Sequence, residues 1–352
     1  MKAVRVAASG EYDVIIGGGL LADAGRYIAD VVSCRKAALV SDDTVFSLYG
    51  DALQKSLALS GIEPITFVFP HGERSKSLSV YGTLLGAMCD GELSGSDAVI
   101  ALGGGVAGDL AGFAAATYRR GTAFIQIPTT LLAAVDSSVG GKTGINLDRG
   151  KNQAGAFYQP SLVLCDTDTL KTLPEREYKN GCAEIIKYAM IGGYGLFEEL
   201  FDLPAHVQYE DVIAKCVAIK RDIVEKDERD TGIRRLLNFG HTVGHAIEVC
   251  SRYTVPHGEA VAVGMAVITS AAVRFGICSA DVERALYEAL GKYSLPRKTA
   301  FSAEELAAAA MSDKKIRGDS LTLIVPEDVG RCVMTDIPKV ELAEWLRAGG
   351  LK

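Results

Sequence analysis

The chain is poor in histidine, with five among 352 residues, and it has a single tryptophan. It contains eight cysteines but lacks a CxxC pair, and most of the cysteines stand among apolar residues. Scattered thiols of this kind indicate reduced, buried cysteines rather than a disulfide framework. We therefore expect a protein of the cytoplasm.

The sequence also lacks long apolar runs and an excess of basic residues, and this limits the kinds of partner that the protein can have. No uninterrupted apolar run approaches the roughly 18 residues of a membrane span, and the first 14 residues lack the apolar core of a signal peptide. The formal net charge is −7, which argues against nucleic acid because phosphate backbones demand a basic surface. We expect neither a membrane nor a nucleic-acid partner, whereas a small anionic substrate held by local Lys and Arg remains compatible.

What is present in the first half is an alternation of short apolar runs with helical patterns. This alternation predicts a parallel sheet with helices on its faces and a ligand beyond the carboxyl ends of the strands. The predicted strands are 12–16, 36–40, 64–69, 97–102 and 123–127. The second half predicts helices at 174–202, 209–228, 240–251, 257–275, 280–291 and 302–313, with one strand near 321–326. The fold class is thus an α/β domain with a Rossmann-like parallel sheet at 1–175, followed by a mostly α-helical domain at 176–352.

Glycine-rich turns follow two of the predicted strands. Gly103-x-Gly105-x-x-Gly108 opens a helix, and such glycines let the backbone approach a pyrophosphate. The motif alone is weak, because it does not follow the first strand and no acidic residue stands about 20 positions later. A second glycine run, 17–19, follows the first strand, and Asp42 ends the next strand, where a ribose-binding acid is expected. Together these features favour a dinucleotide over plain strand-to-helix turns.

Two polar segments allow more than one interpretation. The loop 70–77 contains Glu73 and Lys76, which fit a nucleotide contact or a solvated turn equally well. The segment 127–146 contains VGGKTG, which resembles a phosphate-binding loop, but Asp136 stands where the first glycine is required. A nucleotide triphosphatase is therefore disfavoured, while an ammonium group amid glycines still suits an anion.

Three of the five histidines, His241, His245 and His257, fall close together in the chain. His241 and His245 are spaced i, i+4 and share a helix face, but the glutamate of an HExxH zinc motif is absent. Glu184 lies three residues before Lys187 in an apolar helix, where a buried carboxylate needs a cation. A catalytic zinc commonly takes three protein ligands. One of the four candidates is therefore spare, and spacing alone does not choose it.

At these residues the chain resembles the 3-dehydroquinate synthase family, from about residue 40 to residue 330. The matching segments are GGGVAGDLAGFAAATYRRG, IPTTLLAAVDSSVGGKTGIN, KNQAGAFYQP, DTDTLKTLP, AEIIKY, RRLLNFGHTVGHAIE and HGEAVAVGM. The resemblance implies an enzyme of the shikimate route that converts 3-deoxy-D-arabino-heptulosonate 7-phosphate to 3-dehydroquinate and phosphate. It further implies catalytic NAD, a divalent metal (zinc, with cobalt as the alternative) and a cytoplasmic homodimer.

The resemblance also implies a role for each matching residue. The metal ligands fall on Glu184, His241 and His257, which leaves His245 to face the substrate phosphate and help proton transfer. The NAD contacts fall on Asp42, Glu73, Lys76, Gly105, Val106, Ala107, Gly108, Asp109, Thr129, Thr130, Lys142, Lys151, Thr169, Leu170, Lys171 and Thr172. The catalytic and substrate contacts fall on Asp136, Lys142, Lys151, Asn152, Lys187, Lys220, Arg234, Asn238, one of Lys314 and Lys315, and Arg120, which reaches a neighbouring subunit.

Departures from the family pattern are small, since Asp230 replaces a more usual glutamate and Thr44 a common asparagine. The alternatives are a paralogous sugar phosphate cyclase, a metal-dependent polyol dehydrogenase that releases NADH, and a non-enzymatic binding module. Lys220, Arg234 and the KNQAGAF segment favour a substrate that carries a carboxylate, and hence the seven-carbon acid.

Overall fold

The structure is a computed structural model that describes residues 1–148, 150–202, 209–311 and 319–352. The chain divides into two compact units. Unit 1 comprises Met1–Pro174 and Tyr209–Arg229, and unit 2 comprises Glu175–Gln208 and Asp230–Lys352. The domain assignment at 1–175 and 176–352 stays a prediction. In the structure, the helix that begins at Tyr209 packs within unit 1.

The bounds of the strands and helices are as follows. The strands are β1 (Lys2–Ala7), β2 (Glu11–Gly17), β3 (Lys36–Asp42), β4 (Glu63–Phe69), β5 (Ala98–Gly103), β6 (Ala123–Pro128), β7 (Lys142–Leu147), β8 (Gly150–Phe157), β9 (Leu162–Asp166), β10 (Ser320–Asp328) and β11 (Arg331–Pro338). The α-helices are α1 (Ala24–Val31), α2 (Asp43–Leu59), α3 (Leu78–Asp90), α4 (Gly105–Thr117), α5 (Glu175–Gly192), α6 (Tyr194–Asp202), α7 (Tyr209–Val224), α8 (His241–Cys250), α9 (His257–Arg274), α10 (Ala280–Lys292), α11 (Ala303–Met311) and α12 (Leu342–Ala348).

Unit 1 is built on a seven-stranded sheet with the order β1-β2-β9-β6-β5-β3-β4. All neighbours pair in parallel except β1, which pairs antiparallel with β2 at the edge. The five predicted strands and the predicted α/β fold class are confirmed. The strands β1, β7, β8 and β9 were not predicted; β9 lies between β2 and β6, and β7 and β8 form a separate antiparallel pair.

The central strand β5 shows why the apolar runs form a parallel sheet. All six of its residues are buried. Ile100 and Leu102 pack on one face with α1 and α2, while Val99 and Ala101 pack on the other face with α3 and α4. Helices on both faces require a strand that is apolar at consecutive positions, which is the pattern of the sequence.

Unit 2 is organised around α9, which packs against α5, α8, α10 and α12. Its residues from Gly258 to Ala272 are buried almost without interruption, as expected for a central helix that is apolar all round. The predicted helices of this half are confirmed, except that 174–202 forms two helices, α5 and α6, and that residues 312 and 313 lie outside the described part of the chain. The predicted strand near 321–326 is β10. Its partner β11 was not predicted. Among the described residues, no helix is both long and apolar enough to cross a membrane.

Asp166, at the end of β9, generates a prediction about the stability of unit 1. Its buried carboxylate accepts hydrogen bonds from the backbone N–H groups of Gly19 at 3.0 Å, Leu21 at 2.8 Å and Asp168 at 2.9 Å. Asp166→Ala would leave these donors unpaired, and each buried unpaired group costs about 1–3 kcal/mol. We expect a clearly lower urea midpoint for the loss of circular dichroism.

The matched control is Asp168→Ala, which removes a half-exposed carboxylate that pairs with Lys171 at the surface. Such a pair contributes less than about 1 kcal/mol. Equal midpoints for the two variants would contradict the role assigned to Asp166.

Candidate active site

Three helices of unit 2 bring metal-ligating side chains together. Glu184 lies midway along α5, His241 is the first residue of α8, and His257 is the first residue of α9. Each offers one ligand atom, and these atoms lie within 4.8 Å of one another. Glu184 Oε1 is 3.5 Å from His241 Nε2 and 3.3 Å from His257 Nε2, and the Glu184 side chain is 1% exposed. The three predicted ligands therefore form one cluster.

In His241 and His257, the contact made by Nδ1 determines which ring nitrogen can bind a cation. His241 Nδ1 lies 3.1 Å from the backbone oxygen of Phe239, and His257 Nδ1 lies 3.4 Å from Glu248 Oε2. A carbonyl and a carboxylate only accept hydrogen bonds, so each Nδ1 carries the proton and donates. In the neutral form of both rings, the Nε2 atoms then direct their lone pairs toward the Glu184 carboxylate. Three acceptors that converge without a donor require a cation, and one carboxylate with two imidazoles is a donor set of catalytic zinc.

The titration of these groups reflects the same demand for positive charge. Burial would raise the pKa of Glu184, but Lys187, whose Nζ contacts Glu184 Oε2, and the two histidines hold this pKa well below its usual range. Burial would lower the pKa of His257, but the carboxylates of Glu184 and Glu248 raise it to about 10. Without a metal, a proton on His257 supplies the charge that the cluster requires.

Glycines explain how α8 and α9 approach closely enough to form the cluster. A Cβ atom at Gly264 would lie 2.0 Å from the backbone oxygen of Gly240, and one at Gly244 would lie 3.1 Å from the backbone of α9. Gly240 has φ +77° and directly precedes His241, as Gly244 directly precedes His245. The repeated Gly-His pattern thus places a contact-making glycine before each histidine of α8.

His245 lies beside the cluster rather than in it. Its ring centroid is 5.4 Å from that of His241 and 6.1 Å from that of His257, and its ligand atom is grouped with those of Glu248 and His257 rather than with Glu184. His245 thus lies outside the group formed by Glu184, His241 and His257, and it belongs to a second possible group with Glu248 and His257.

Sequence reasoning missed Asn180, which holds the start of α9 against α5. Its Oδ1 accepts a hydrogen bond from the backbone N–H of Gly258 at 2.9 Å. A Cβ atom at Gly258 would lie 2.5 Å from Asn180 Cα, so only glycine allows this approach. Asn180 lies one helical turn before Glu184 and Gly258 directly follows His257, so the contact sets the distance between the two ligands. No local pattern in the sequence marks this pairing.

In unit 1, Asp42 and the glycine turn after β5 lie where the order of the parallel strands reverses. The chain leaves β3 toward β4 on one side, and it leaves β5 toward β6 on the other. Ligands of such sheets bind at the carboxyl ends of the two diverging strands. Asp42 Oδ1 accepts a hydrogen bond from Val45 N–H at 2.9 Å, and a Cβ atom at Gly103 would lie 3.5 Å from Asp42 Oδ2. The acid and the glycine turn that begins α4 are therefore adjacent in space, although the acid precedes the glycines in sequence.

A buried polar network lies near these loops. Lys76 is 4% exposed, and its Nζ contacts the Asp109 carboxylate and Asn152 Oδ1. Burial would lower the pKa of Lys76, but the carboxylates of Asp109 and Glu73 raise it. Asn146, whose role was not predicted, donates from Nδ2 to Glu73 Oε1 at 2.8 Å and accepts from Asn152 N–H at 2.8 Å. The network thereby ties the loop 70–77 to β7 and β8.

A second buried cation lies elsewhere in unit 1. Asp136 is in the π-helical turn Ala133–Ser137, a rare element that often marks functional sites. Lys220 of α7 donates to the backbone oxygen of Asp136 at 2.7 Å and contacts its carboxylate. Two residues predicted separately, 84 positions apart in sequence, are thus direct partners.

The other predicted residues are placed as follows. Thr129 and Thr130 follow β6, and Thr129 N–H donates to the backbone oxygen of Gly103 at 3.0 Å. Thr169, Leu170, Lys171 and Thr172 form most of a 3₁₀ helix, Thr167–Thr172, and Val106, Ala107 and Gly108 lie in the first turn of α4. Lys142 is exposed on β7, and Lys151 is half-buried on β8. Arg120 is exposed and has φ +67°. Arg234 is buried and lies in the 3₁₀ helix Ile233–Asn238, which also contains Asn238. Lys314 and Lys315 lie outside the described residues.

Comparison with known proteins gives consistent matches along the chain. Residues 66–180 match the model of the 3-dehydroquinate synthase N-terminal domain, and residues 181–316 match that of the C-terminal domain. A 3-dehydroquinate synthase of Enterococcus faecalis is 42% identical over 360 residues, which cover 100% of both chains.

Two solved structures are similar over nearly the whole chain. One is 2-deoxy-scyllo-inosose synthase complexed with carbaglucose-6-phosphate, NAD⁺ and Co²⁺, with a TM-score of 0.89, 28% identity and coverage of 98% of this chain and 99% of that one. The other is 2-epi-5-epi-valiolone synthase from Streptomyces hygroscopicus with NAD⁺ and Zn²⁺, with a TM-score of 0.88, 29% identity and coverage of 99% of both chains.

The glycine contacts generate a prediction about the metal cluster. Gly264→Ala places a methyl group against the backbone of Gly240, so α8 must move away from α9 and carry His241 with it. We expect a loss of at least about 10-fold in zinc affinity, as for a displaced metal environment, measured by competition with a chromophoric chelator.

Gly291→Ala is the matched control, since nothing lies within 4 Å of a Cβ atom at this glycine of α10. This variant should retain its zinc affinity. Undiminished zinc binding by Gly264→Ala would show that the close approach of the two helices is not required.

Proposed function

This chain belongs to the 3-dehydroquinate synthase family, and we propose that it converts 3-deoxy-D-arabino-heptulosonate 7-phosphate to 3-dehydroquinate and phosphate. The observation that carries the proposal is the Glu184–His241–His257 cluster, which falls on the family's motifs and has the donor set of a catalytic metal. The reaction eliminates phosphate and closes a carbocycle without net oxidation.

The residues of unit 2 fit a divalent metal, zinc or cobalt. Glu184 Oε1 and the Nε2 atoms of His241 and His257 would hold it, and Lys187 occupies the second oxygen of Glu184. Such a metal supplies Lewis-acid polarisation of substrate hydroxyl and ketone oxygens when bound. Lys187 engages Oε2, so the carboxylate presents Oε1 to the two histidines.

The residues of unit 1 fit NAD. Asp42 would accept from the ribose hydroxyls, and the free backbone N–H groups at the start of α4 would face the pyrophosphate. The family contacts also include Glu73, Lys76 and the segment 169–172. When bound, NAD supplies transient acceptance and return of a hydride, so it is regenerated in each turnover.

The cationic residues suit a substrate that carries a phosphate and a carboxylate. Lys142, Lys151 and Arg234 would neutralise these anions, and Lys220, held by Asp136, offers a pre-oriented ammonium. The phosphate of a sugar that has no acid group lacks a carboxylate to interact with these positively charged side chains. This difference favours the seven-carbon acid over the substrates of paralogous cyclases.

Proton transfer falls to side chains that are not metal ligands. His245 lies on α8 one turn after His241 and its side chain is partly exposed, so it can exchange protons with a substrate phosphate and with solvent. Asn152 and Asn238 would orient the substrate through their amides. The substrate phosphate can itself act as a base, which reduces the demand on the protein to holding the reacting groups in place.

We further propose that the enzyme is a cytoplasmic homodimer. All eight cysteines are free, which suits a reducing compartment. Arg120 is exposed, and both it and Arg119 have positive φ, at +67° and +52°. Two successive bulky residues in this strained region are typical of a functional turn, and the match of Arg120 to the family's YRRG arginine supports a contact with a second copy of the chain.

The assay for the proposed reaction combines the purified protein with the seven-carbon phosphate, zinc and a small amount of NAD. One phosphate should be released for each substrate consumed, without accumulation of NADH, because the hydride returns to the product. Colorimetric phosphate and NADH absorbance are followed together. Stoichiometric NADH would instead support a polyol dehydrogenase.

Glucose 6-phosphate serves as the comparison substrate, because it lacks a carboxylate and its carba analogue is bound in 2-deoxy-scyllo-inosose synthase. Phosphate release from it should be at least about 100-fold slower, since it offers no carboxylate to the cationic side chains that the seven-carbon acid would engage. Faster release from glucose 6-phosphate would place the chain with the paralogous cyclases.

The dimeric role of Arg120 is tested by mixing two inactive variants, Arg120→Ala and His257→Ala. In a mixed dimer, the subunit with an intact metal cluster can receive Arg120 from its partner. Co-expression at equal amounts should restore about a quarter of wild-type activity, because half of the dimers are mixed and each has one complete site. Arg120→Lys paired with the same partner provides a charge-retaining control. No recovery from a confirmed mixed dimer would contradict the intersubunit role.

A further inference from the structure

One buried carboxylate in unit 2 has no part in the proposed reaction. Glu248 lies on α8 seven residues after His241, so it projects from the same helix face. Its side chain is 5% exposed. Carboxylates are almost never buried to this extent unless they are paired, so a specific role is required.

The partner that the geometry provides is a metal ligand. Glu248 Oε2 lies 3.4 Å from His257 Nδ1, and Glu184 Oε1 lies 3.3 Å from His257 Nε2 on the other edge of the same ring. The imidazole is therefore held between two carboxylates, one at each nitrogen. Because an ionised carboxylate only accepts, Glu248 selects the tautomer in which Nδ1 carries the proton and Nε2 is free to bind a cation.

We propose that Glu248 is a positioning residue for the proposed metal site, and that it fixes the tautomer and orientation of His257. A carboxylate at the outer nitrogen of a metal-binding histidine also raises the basicity of the inner nitrogen. His241 receives the corresponding contact from the backbone oxygen of Phe239, at 3.1 Å. His257 begins its helix and has a side chain that is 31% exposed, so it has the greater need of a fixed partner.

A second arrangement competes with this one. Ligand atoms of His245, Glu248 and His257 also lie within 4.8 Å of one another, as they would around a second cation. In that case His257 would have to lose both ring protons and bridge two metals. The outer-carboxylate arrangement needs only a neutral imidazole, so the geometry favours it, and the metal stoichiometry distinguishes the two.

The experiment titrates zinc into metal-free wild type and Glu248→Gln with a competing chromophoric chelator, and records the visible spectrum of the cobalt-loaded proteins. The amide keeps the shape of the side chain but can donate to Nδ1 and so favours the wrong tautomer. We expect one metal per chain in both proteins, an affinity lower by about 10- to 100-fold in the variant, and a shifted cobalt spectrum. Glu248→Asp, which keeps the carboxylate, should recover part of the affinity.

The matched control is Glu288→Gln, which removes the same charge from an exposed position on α10. It should bind zinc as the wild type does. Unfolding of the metal-free proteins is measured in parallel, since a merely structural role would lower stability and leave the affinity and cobalt spectrum unchanged; that result would overturn the proposal.

The remaining outcomes separate this proposal from the proposed function on which it rests. Two metals per wild-type chain and one per Glu248→Gln chain would make Glu248 a direct ligand and overturn the positioning role. Failure of the wild type to bind zinc would overturn the metal site and the role of Glu248 together. Normal zinc binding by both proteins would overturn only the role of Glu248.

Discussion

The structure of unit 2 depends on one constraint, which is that a carboxylate oxygen of Glu184 and the Nε2 atoms of His241 and His257 converge on one point. Glu184 Oε1 lies 3.5 Å from His241 Nε2 and 3.3 Å from His257 Nε2. The Nδ1 protons of both rings point away, to a backbone carbonyl and to a carboxylate. Such an arrangement is stable only with positive charge at its centre. The same demand appears as a His257 pKa raised to about 10 in the metal-free chain. Because the three acceptors repel one another without a cation, the packing of unit 2 has to hold them in place.

The packing of unit 2 meets that requirement with glycines and with one amide. α9 is buried nearly throughout, α8 reaches it through Gly240, Gly244 and Gly264, and α5 reaches it through the contact between Asn180 and Gly258. Gly240 and Gly258 each lie next to a predicted ligand in sequence, so helix packing and ligand geometry share residues there. Side chains larger than hydrogen at these positions would act on the metal cluster through the backbone rather than by any contact with the metal.

Unit 1 uses a different physical device, because its expected ligands are anions. Lys76 and Lys220 are both buried, and each is held by an aspartate, Asp109 and Asp136. A buried ion pair contributes little net stability, since desolvation offsets much of the attraction. Its value lies in keeping an ammonium charged, dry and correctly placed before an anion arrives. This interpretation is consistent with the raised pKa of Lys76.

Much of this could be predicted from the sequence, and the failures share one cause. Apolar runs and helical periodicity located the parallel strands, and ligand chemistry located Glu184 and the histidines. Glu248 and Asn146 were missed because their roles depend on partners that only the tertiary structure supplies. The same cause made the glycine motif look weak, since its acidic partner Asp42 lies on the adjacent strand and earlier in the chain. The strands β7 and β8 were missed because glycines, lysines and asparagines obscure an alternating pattern.

The fold alone does not determine which substrate an enzyme of this kind uses. Synthases named for two different products share this fold at TM-scores of 0.88 and 0.89, and their solved structures contain NAD⁺ with Zn²⁺ or Co²⁺. A metal cluster and a nucleotide site therefore cannot by themselves select the substrate. Under the proposed function, selection resides in the cationic side chains that meet the remainder of the sugar. Asp136 holds the Lys220 ammonium in place, so a substrate carboxylate would meet a charge that is already oriented. A substrate without a carboxylate would leave the internal pair intact and gain nothing from it, and this difference is where specificity for an acid would arise.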